Sequence, residues 1–495
     1  MSRILIIGNT PLPFEDNIAI QPAAGFRTWQ FLKPLLEAEH EVKVVGIYDK
    51  EHYGKIQNSK FKIQNYGIKG EKVEKKSSRL KKELQQIHDQ FQPDCVIGVN
   101  TLPSFYACQL KTDRPIWADL NGWIMAEAAS QAEVAQTNSY LPHYWHLEKT
   151  ILKRADQFSV VSEHQKWSLY GELASLGKLN QKTAAFEFVH HIQNAQDYTL
   201  KTGGNKKNVT SIRGTSSSAP LIKGRLEKEL LSSLPREDGR IEFSSPLAKG
   251  GLRGICAPDD FVVLFCGGYN TWVDTNTLLQ GLTLCIKKNP KVKFVSTGGT
   301  IPGLDENTFK KFNLQATSYK LPTSFIFLGW IDYQLIPQLY RAADLGINID
   351  KPNIETWTGA RNRLNEMMKY GLPVLTSLGS EISYDIFNHQ LGLTFSQKNP
   401  RDFADKILWA AEHPTELKQF AHKALLYAKK YYSPEYTTKA LQNWVKNPTH
   451  APDFGQKISL EKIGWQSGLK LALKSLKQRG LKGTWQKIKK NWRRI

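Results

Sequence analysis

The chain has 495 residues, 40% of them hydrophobic and 11% aromatic, and a formal net charge of +21. That length holds two or three domains, and that apolar content builds real cores, which excludes a disordered protein. No apolar run approaches the ~18 residues of a membrane span. The five scattered cysteines lack Cys-x-x-Cys spacing and read as free thiols of a reducing cytoplasm.

The first strand, Ile4–Ile7, opens the chain and is too short an apolar run for a signal peptide. Val42–Val45, Cys95–Val99, Ile116–Ala118 and Phe158–Val161 read as further buried strands, with helical patterns such as 27–39 and 79–91 between them. Continuous apolar strands alternating with helices are the signature of a parallel α/β sheet, here a domain over residues 1–195. Residues 196–255 are rich in Gly, Ser and Lys, as in a linker or insertion. A second α/β unit follows over residues 256–446. Its strands are predicted at Phe261–Phe265, Lys293–Ser296, Phe325–Leu328, Leu345–Ile349 and Val374–Leu375, and its helices at 275–288, 332–343, 359–370, 400–413 and 414–432. Two such units face each other across a cleft, and ligands bind at the carboxyl ends of the strands.

The tail, residues 447–495, is of another kind. Residues 451–495 hold twelve Lys/Arg against two acidic residues, nearly half the net charge. Leu481, Trp485, Ile488, Trp492 and Ile495 fall on one helical face, with Lys and Arg around them. An apolar aromatic stripe flanked by cations suits an anionic membrane surface, with 465–495 as the contact. A basic helix docked on the protein's own acidic face is the plainer alternative. Nucleic acid is not expected, because the RNA-binding aromatic and glycine pattern is missing.

The stretch from Glu355 to Ser377 carries most of the chemistry. It reads as a polar turn, a helix over 359–370 ended by Gly371, and a strand started by Pro373. Arg361 and Arg363 lie in the first turn, where the helix dipole disfavours cations, so an anionic ligand would relieve the conflict. The plainer alternative is a structural pair with Glu355 or Asp350.

This stretch, together with Phe325–Trp330 and the Tyr340-x-x-Ala343-Asp344 passage, resembles glycosyltransferase family 4 (group 1) of the two-domain GT-B fold. Asn365-Glu366-Met367-Met368 before Gly371 and Pro373-Val374 is similar to that family's Glu-Ala-Met-Ala-x-Gly-x-Pro-Val. Gly267-Gly268-Tyr269-Asn270-Thr271-Trp272 with Gly359-Ala360-Arg361-Asn362-Arg363 looks like a bacterial subgroup. The resemblance implies an α/β GT-B fold of two Rossmann-like parallel-sheet domains. It also implies a retaining transferase using a nucleotide-diphosphate sugar as co-substrate, with no cofactor and no metal.

By the resemblance, Glu366 holds the donor ribose, as a carboxylate accepting from vicinal hydroxyls. The other Glu of the family's pair falls at Thr358, so Glu355 is the candidate replacement as a catalytic contact to the donor sugar. The usual Arg and Lys after the first C-terminal strand are missing, and Arg361 and Arg363 are the candidates to supply that charge to the diphosphate. Gly268, Asn270, Asp274, Gly329 and Trp330 complete the implied donor site. In the first domain, Gly25 and Arg27 stand where the family places a loop facing the diphosphate, although a plain helix start reads as well. Asp119 or Asn121 stands where the family often has a His near the anomeric carbon, although a turn alone explains these residues too. His143 and His146 share a helix without a third ligand, which favours packing over metal. The implied acceptor is a lipid-linked or cell-surface glycan, handled at the inner face of the membrane. The alternative is a catalytically inactive GT-B protein that binds a sugar nucleotide or a partner enzyme.

Overall fold

The computed structural model describes residues 1–13, 23–49, 60–63, 68–199, 256–301, 305–318 and 324–456, with residues 473, 476 and 477. The tail stripe and nearly all of the 196–255 segment lie outside the described residues. Fourteen strands form two sheets among those described. The first holds β1 (Arg3–Thr10), β2 (Glu41–Tyr48), β3 (Lys60–Ile63), β4 (Ile68–Glu74), β5 (Cys95–Gly98), β6 (Ile116–Leu120), β7 (Gln157–Val160) and β8 (Val189–His191). The second holds β9 (Phe261–Phe265), β10 (Val292–Thr297), β11 (Phe325–Gly329), β12 (Leu345–Asn348), β13 (Val374–Ser377) and β14 (Leu393–Phe395).

The sheet orders are β3-β4-β2-β1-β5-β6-β7-β8 and β11-β10-β9-β12-β13-β14. Every pairing is parallel except β3 with β4. Ile4 through Ile7 and Val263 through Phe265 are fully buried, as helices on both sheet faces require. The order reverses between β1 and β5 in one sheet and between β9 and β12 in the other. At such switch points the following connections leave on opposite faces and open a crevice at the strand ends.

The predicted strands all form. The missed ones are the edge strands β3, β8 and β14 and the next-to-edge strand β4, which are short or charge-rich. The helix expected over 359–370 forms over Asn362–Lys369, and a separate short first piece, Ile354–Thr358, stands where a polar turn was expected. Gly359 closes the first piece, and Arg361 takes an extended N-cap conformation (φ −120°) before the second.

The chain crosses between the domains twice. After the long helix Pro414–Tyr431, the short helices Pro434–Thr437 and Lys439–Trp444 return to the first domain. Leu441 and Val445 are fully buried there among Ile4, Trp29 and Leu32. The Ser2 hydroxyl donates to the Val445 carbonyl at 2.6 Å. Lys33, buried in the helix Ala23–Glu37, meets Glu37, Asp197 and Glu435. Burial opposes its charge, yet these carboxylates raise its pKa above the ordinary lysine value.

Because Leu441 fills the first domain's core from the chain's far end, Leu441→Ala is expected to cost about 2–5 kcal/mol. Urea unfolding monitored by tryptophan fluorescence measures this. An unchanged midpoint would mean that the returning helix is not part of that cooperative unit.

Candidate active site in the interdomain cleft

The second sheet's switch point is built around Arg363. Its helix, Asn362–Lys369, begins beneath the turn that follows β9. Arg363 Nε donates to the Cys266 carbonyl at 2.7 Å and Nη2 to the Gly268 carbonyl at 3.1 Å, while the guanidinium sits 3.9 Å from the Phe265 ring centroid. A cation therefore stands at this turn, although the turn's own residues include none. Gly268 packs against Ile301 and Trp330, and Trp330 Nε1 donates to the Thr300 carbonyl at 3.1 Å. Gly329 ends β11 beside this group with φ +64°. Asn270 is half-buried, and its carbonyl accepts from the Val273 N–H.

One turn further along the Arg363 helix, Glu366 accepts from the Tyr333 hydroxyl at 3.0 Å and the Tyr340 hydroxyl at 3.1 Å. Burial raises its pKa, and the two phenols oppose the rise. Each phenol takes one site on one carboxylate oxygen, and a carboxylate's remaining lone pairs can accept further hydroxyl donors. Tyr333 also meets Phe26 of the first domain edge-on, with ring centroids 5.4 Å apart.

Arg361 does not face the turn. It is clamped between Asp350 (Nε to Oδ2, 3.0 Å) and Glu355 (Nη2 to Oε2, 2.8 Å), and it also donates to Thr356. All three charged side chains are almost fully buried. The expectation that Arg361 neutralises a diphosphate is corrected, because two carboxylates already occupy it. Glu355 is committed to the same cluster. Asp274 is also corrected: it caps the helix Thr275–Lys288, accepting from the Thr277 N–H at 3.1 Å and hydroxyl at 2.7 Å. Thr358 turns its hydroxyl to the Ile354 carbonyl, and its own carbonyl accepts from Ser162 of the first domain at 2.6 Å. Ser130 with Thr271 (2.8 Å) and Asn365 with the Asn194 carbonyl (3.0 Å) make further contacts between the domains.

In the first domain, Gly8 lets the helix Ala23–Glu37 approach β1 closely, since a Cβ there would lie 2.4 Å from a Thr28 methyl. Gly25 is buried in that helix's first turn. Arg27 follows, but it points inward. It makes a two-pronged pair with Asp119 (2.7 and 3.1 Å), both side chains fully buried. Gln30 and Asn194 take a further Arg27 N–H group, while Ser159 and the Asn100 N–H donate to Asp119. Arg27 as a phosphate or acceptor contact, and Asp119 as a catalytic group, are therefore corrected, because each saturates the other. Asn121 remains half-buried at the cleft, donating to Asn100 Oδ1 at 2.9 Å. His143 and His146 lie on the exposed side of the helix Leu141–Arg154, the latter against Phe105.

Sequence reasoning missed a group of carboxyls here. Glu127, on the helix Ile124–Ala135, faces the Glu355–Arg361 cluster across the cleft. Burial pushes its pKa up to about 8, Glu355 adds to the rise, and Arg361 opposes it. Its Oε1 lies 2.7 Å from where a Cβ of Gly122 would stand, and Gly122 has φ +105°, a conformation glycine favours. Behind it Glu172, which accepts from Trp123 Nε1 at 3.0 Å, is pushed up to about 7 by burial. Glu148 rises well above the carboxylate range through burial and then its neighbours Glu172 and Glu127. The signal was weak: a lone Glu in Ile-Met-Ala-Glu-Ala-Ala looks like a solvated helix position.

Two Rossmann-like sheets with facing switch points define the GT-B fold. Residues 256–426 match the family model for glycosyl transferases group 1. A sequence search among curated proteins finds no match. Among solved structures, sucrose-phosphate synthase from Thermosynechococcus elongatus superposes with TM-score 0.61 at 13% identity, over 90% of this chain and 98% of that one. Anabaena HepE in complex with UDP-glucose gives 0.59 at 14% identity, over 90% and 100%. The UDP-forming α,α-trehalose-phosphate synthase from Burkholderia xenovorans gives 0.57 at 9% identity, again over 90% and 100%. At these identities the likeness is one of fold.

The raised carboxyls imply a pH dependence. In the folded protein they hold protons that the unfolded chain releases near 4.5, so stability falls as pH rises through that window. The melting temperature is expected to decline from about pH 5 to pH 8. Glu148→Gln, which stays neutral, is expected to flatten the decline in a calorimetric series. An unaltered slope would show that Glu148 does not hold a proton at neutral pH.

Proposed function

We propose that the protein is a glycosyltransferase that moves a sugar from a nucleotide-diphosphate donor, bound by the second domain, to a glycan or lipid-linked hydroxyl presented by the first. The observation that carries this reading is the pairing of Arg363 and Glu366 on one helix at the β9–β12 switch point. The guanidinium lies under a glycine turn suited to a diphosphate, and the carboxylate lies one turn away, suited to a ribose. The group 1 match over residues 256–426 agrees with it. One structural neighbour is in complex with UDP-glucose and another is UDP-forming, which makes UDP-glucose the first donor to try.

In this reading the anomeric carbon–oxygen bond breaks and the nucleoside diphosphate leaves with the electron pair, its charge met by Arg363 and the turn N–H groups. The acceptor oxygen bonds to the anomeric carbon from the same face, and its proton passes to the departing phosphate. Retention of configuration follows from the family resemblance. The Glu355–Arg361–Asp350 cluster sets the shape of the donor-sugar wall. No helix among the described residues is long and apolar enough to cross a membrane, and the basic tail is proposed to hold the enzyme at an anionic membrane face.

A second reading, a GT-B protein that binds without turnover, is favoured by Thr358 in place of the expected Glu. Calorimetric titration with UDP-, GDP- and dTDP-sugars followed by turnover assays separates the two; donor binding with no product across a broad acceptor panel would select the second. Glu366→Ala is expected to weaken the nucleotide-sugar at least about tenfold, by loss of charge-assisted hydrogen bonds. Arg363→Met is expected to lower kcat by about 10²–10³. Wild-type rates in either variant would remove the site assignment. For the tail, full-length protein should float with anionic liposomes while a 1–450 fragment should not.

A further inference from the structure

We propose that a protonated His191, set between Glu163 of its own lobe and Glu381 of the other, latches the cleft, holding it closed in mildly acidic solution and releasing it as pH rises. The inference concerns how the two lobes meet and stands whatever the cleft transfers.

The latch is built where a strand and two helices meet. β8 ends at His191, and the helix Glu163–Ser175 starts beside it, capped by the Ser162 hydroxyl, which accepts from the Gln165 N–H. The Glu163 N–H lies in that helix's first turn, where no carbonyl of the helix can reach it. It donates instead to Oε2 of Glu381, the first residue of the second-domain helix Glu381–Asn388, at 2.7 Å. The other oxygen of Glu381 lies 3.3 Å from His191 Nε2, and Glu163 Oε1 lies 3.3 Å from Nδ1. The Val161 carbonyl also faces Nε2, at 3.1 Å. These partners match one state of the ring. A backbone carbonyl and an ionised carboxylate only accept, whereas a neutral imidazole has one N–H and one lone pair. In the neutral ring, one nitrogen would turn its lone pair on an acceptor. Imidazolium donates from both nitrogens. The site is therefore complementary to the charged ring, and one of the carboxylates that make it so arrives with the second domain. When the lobes part, His191 keeps Glu163 and Val161 and loses Glu381. Closure and protonation then favour each other, because the coupling is reciprocal.

The neighbouring charges are engaged elsewhere. Lys166 pairs with Glu187 at 3.1 Å, and Asp385, one turn beyond Glu381, accepts from the Tyr432 hydroxyl at 2.6 Å. His190 points to the opposite face of β8. There it stacks on Trp117, meets Gln157 Oε1 at 2.8 Å and lies 3.9 Å from Glu187, and burial lowers its pKa. The His191 and Glu381 side chains are only 20% and 22% exposed, against 50% for Glu163, so the pair that spans the lobes is the less screened of the two. Burial raises the pKa of Glu381, and His191 opposes the rise. At the acid end the Glu381 carboxyl takes up a proton and the attraction fades; at the other end the ring gives its proton up. Closure therefore peaks between the two, and around neutrality, where histidine ordinarily changes charge, the lobes open as pH rises.

Energy transfer between fluorescent labels on the full chain tests this, with one label at Lys153→Cys in the first domain and one at Lys418→Cys in the second. Both positions are exposed, and the five native cysteines are buried. The ratio of closed to open molecules should fall about tenfold between about pH 6 and about pH 8, which corresponds to a one-unit preference of the closed cleft for the charged ring. His191→Gln and Glu381→Gln should each abolish the swing. Glutamine at 381 still accepts from the Glu163 N–H, so that variant removes the charge and keeps the hydrogen bond. Glu163→Gln should keep a swing, since residue 163 moves with His191. A wild-type distance that does not change with pH, a swing that survives in either His191→Gln or Glu381→Gln, or one that is lost in Glu163→Gln would overturn the proposal.

Discussion

The clamp of Arg361 between Asp350 and Glu355 is the constraint on which the rest of the cleft depends. Three charges leave water together, which is tolerable only because the guanidinium's planar donors meet carboxylate oxygens on two sides. The cluster ties the end of β12 to the short helix after it and sets where the next helix begins. Arg363, two residues on, is thereby released to reach the turn after β9 rather than its own carboxylates. The division of labour between two arginines in one motif is geometric: the first sits in an extended link and points back, while the second sits in the helix and points across the sheet.

A second buried pair, Arg27 with Asp119, has the corresponding part in the first domain. It joins a helix to β6 and turns the Arg27 charge inward, away from the cleft. The two walls therefore differ in sign. The second domain offers Arg363 below a glycine turn, and the first offers amides and a carboxyl held neutral by burial.

How much of this was legible in the sequence follows from the range of the interactions. Ile4–Ile7 and Phe261–Phe265 announced themselves because a strand covered on both faces is apolar without a break. The charge-rich hairpin Lys60–Ile63 with Ile68–Glu74 was unreadable because it closes one side of the sheet, where little burial is needed, and its edge strand, Lys60–Ile63, carries charge that avoids further pairing. Glu366 was found through the Gly371–Pro373 punctuation behind it, a local signal. The Arg27–Asp119 pair bridges 92 residues, and nothing near either residue names its partner. Glu127 was invisible for a different reason: its meaning comes from Glu355 and Arg361 in the other domain, and an isolated acid on an alanine-rich helix looks like solvated surface.

The return of Leu441 and Val445 to the first domain has a mechanical consequence. The polypeptide passes between the lobes once near Gln196, before Tyr198 packs on the second domain, and again near Tyr432, where the Tyr432 carbonyl accepts from the Gln196 N–H at 2.9 Å. Two bodies sewn together at neighbouring points cannot slide apart freely; the easy relative movement left to them is a swing about the seam. The contacts that must break in such a swing include two neutral hydrogen bonds, Ser162 with Thr358 and Ser130 with Thr271, each worth only about 1 kcal/mol net, and a charged contact at Glu381, which accepts from the Glu163 N–H at 2.7 Å and lies 3.3 Å from His191 Nε2. The jaw is thus hinged along one seam and latched by a few polar contacts set away from it.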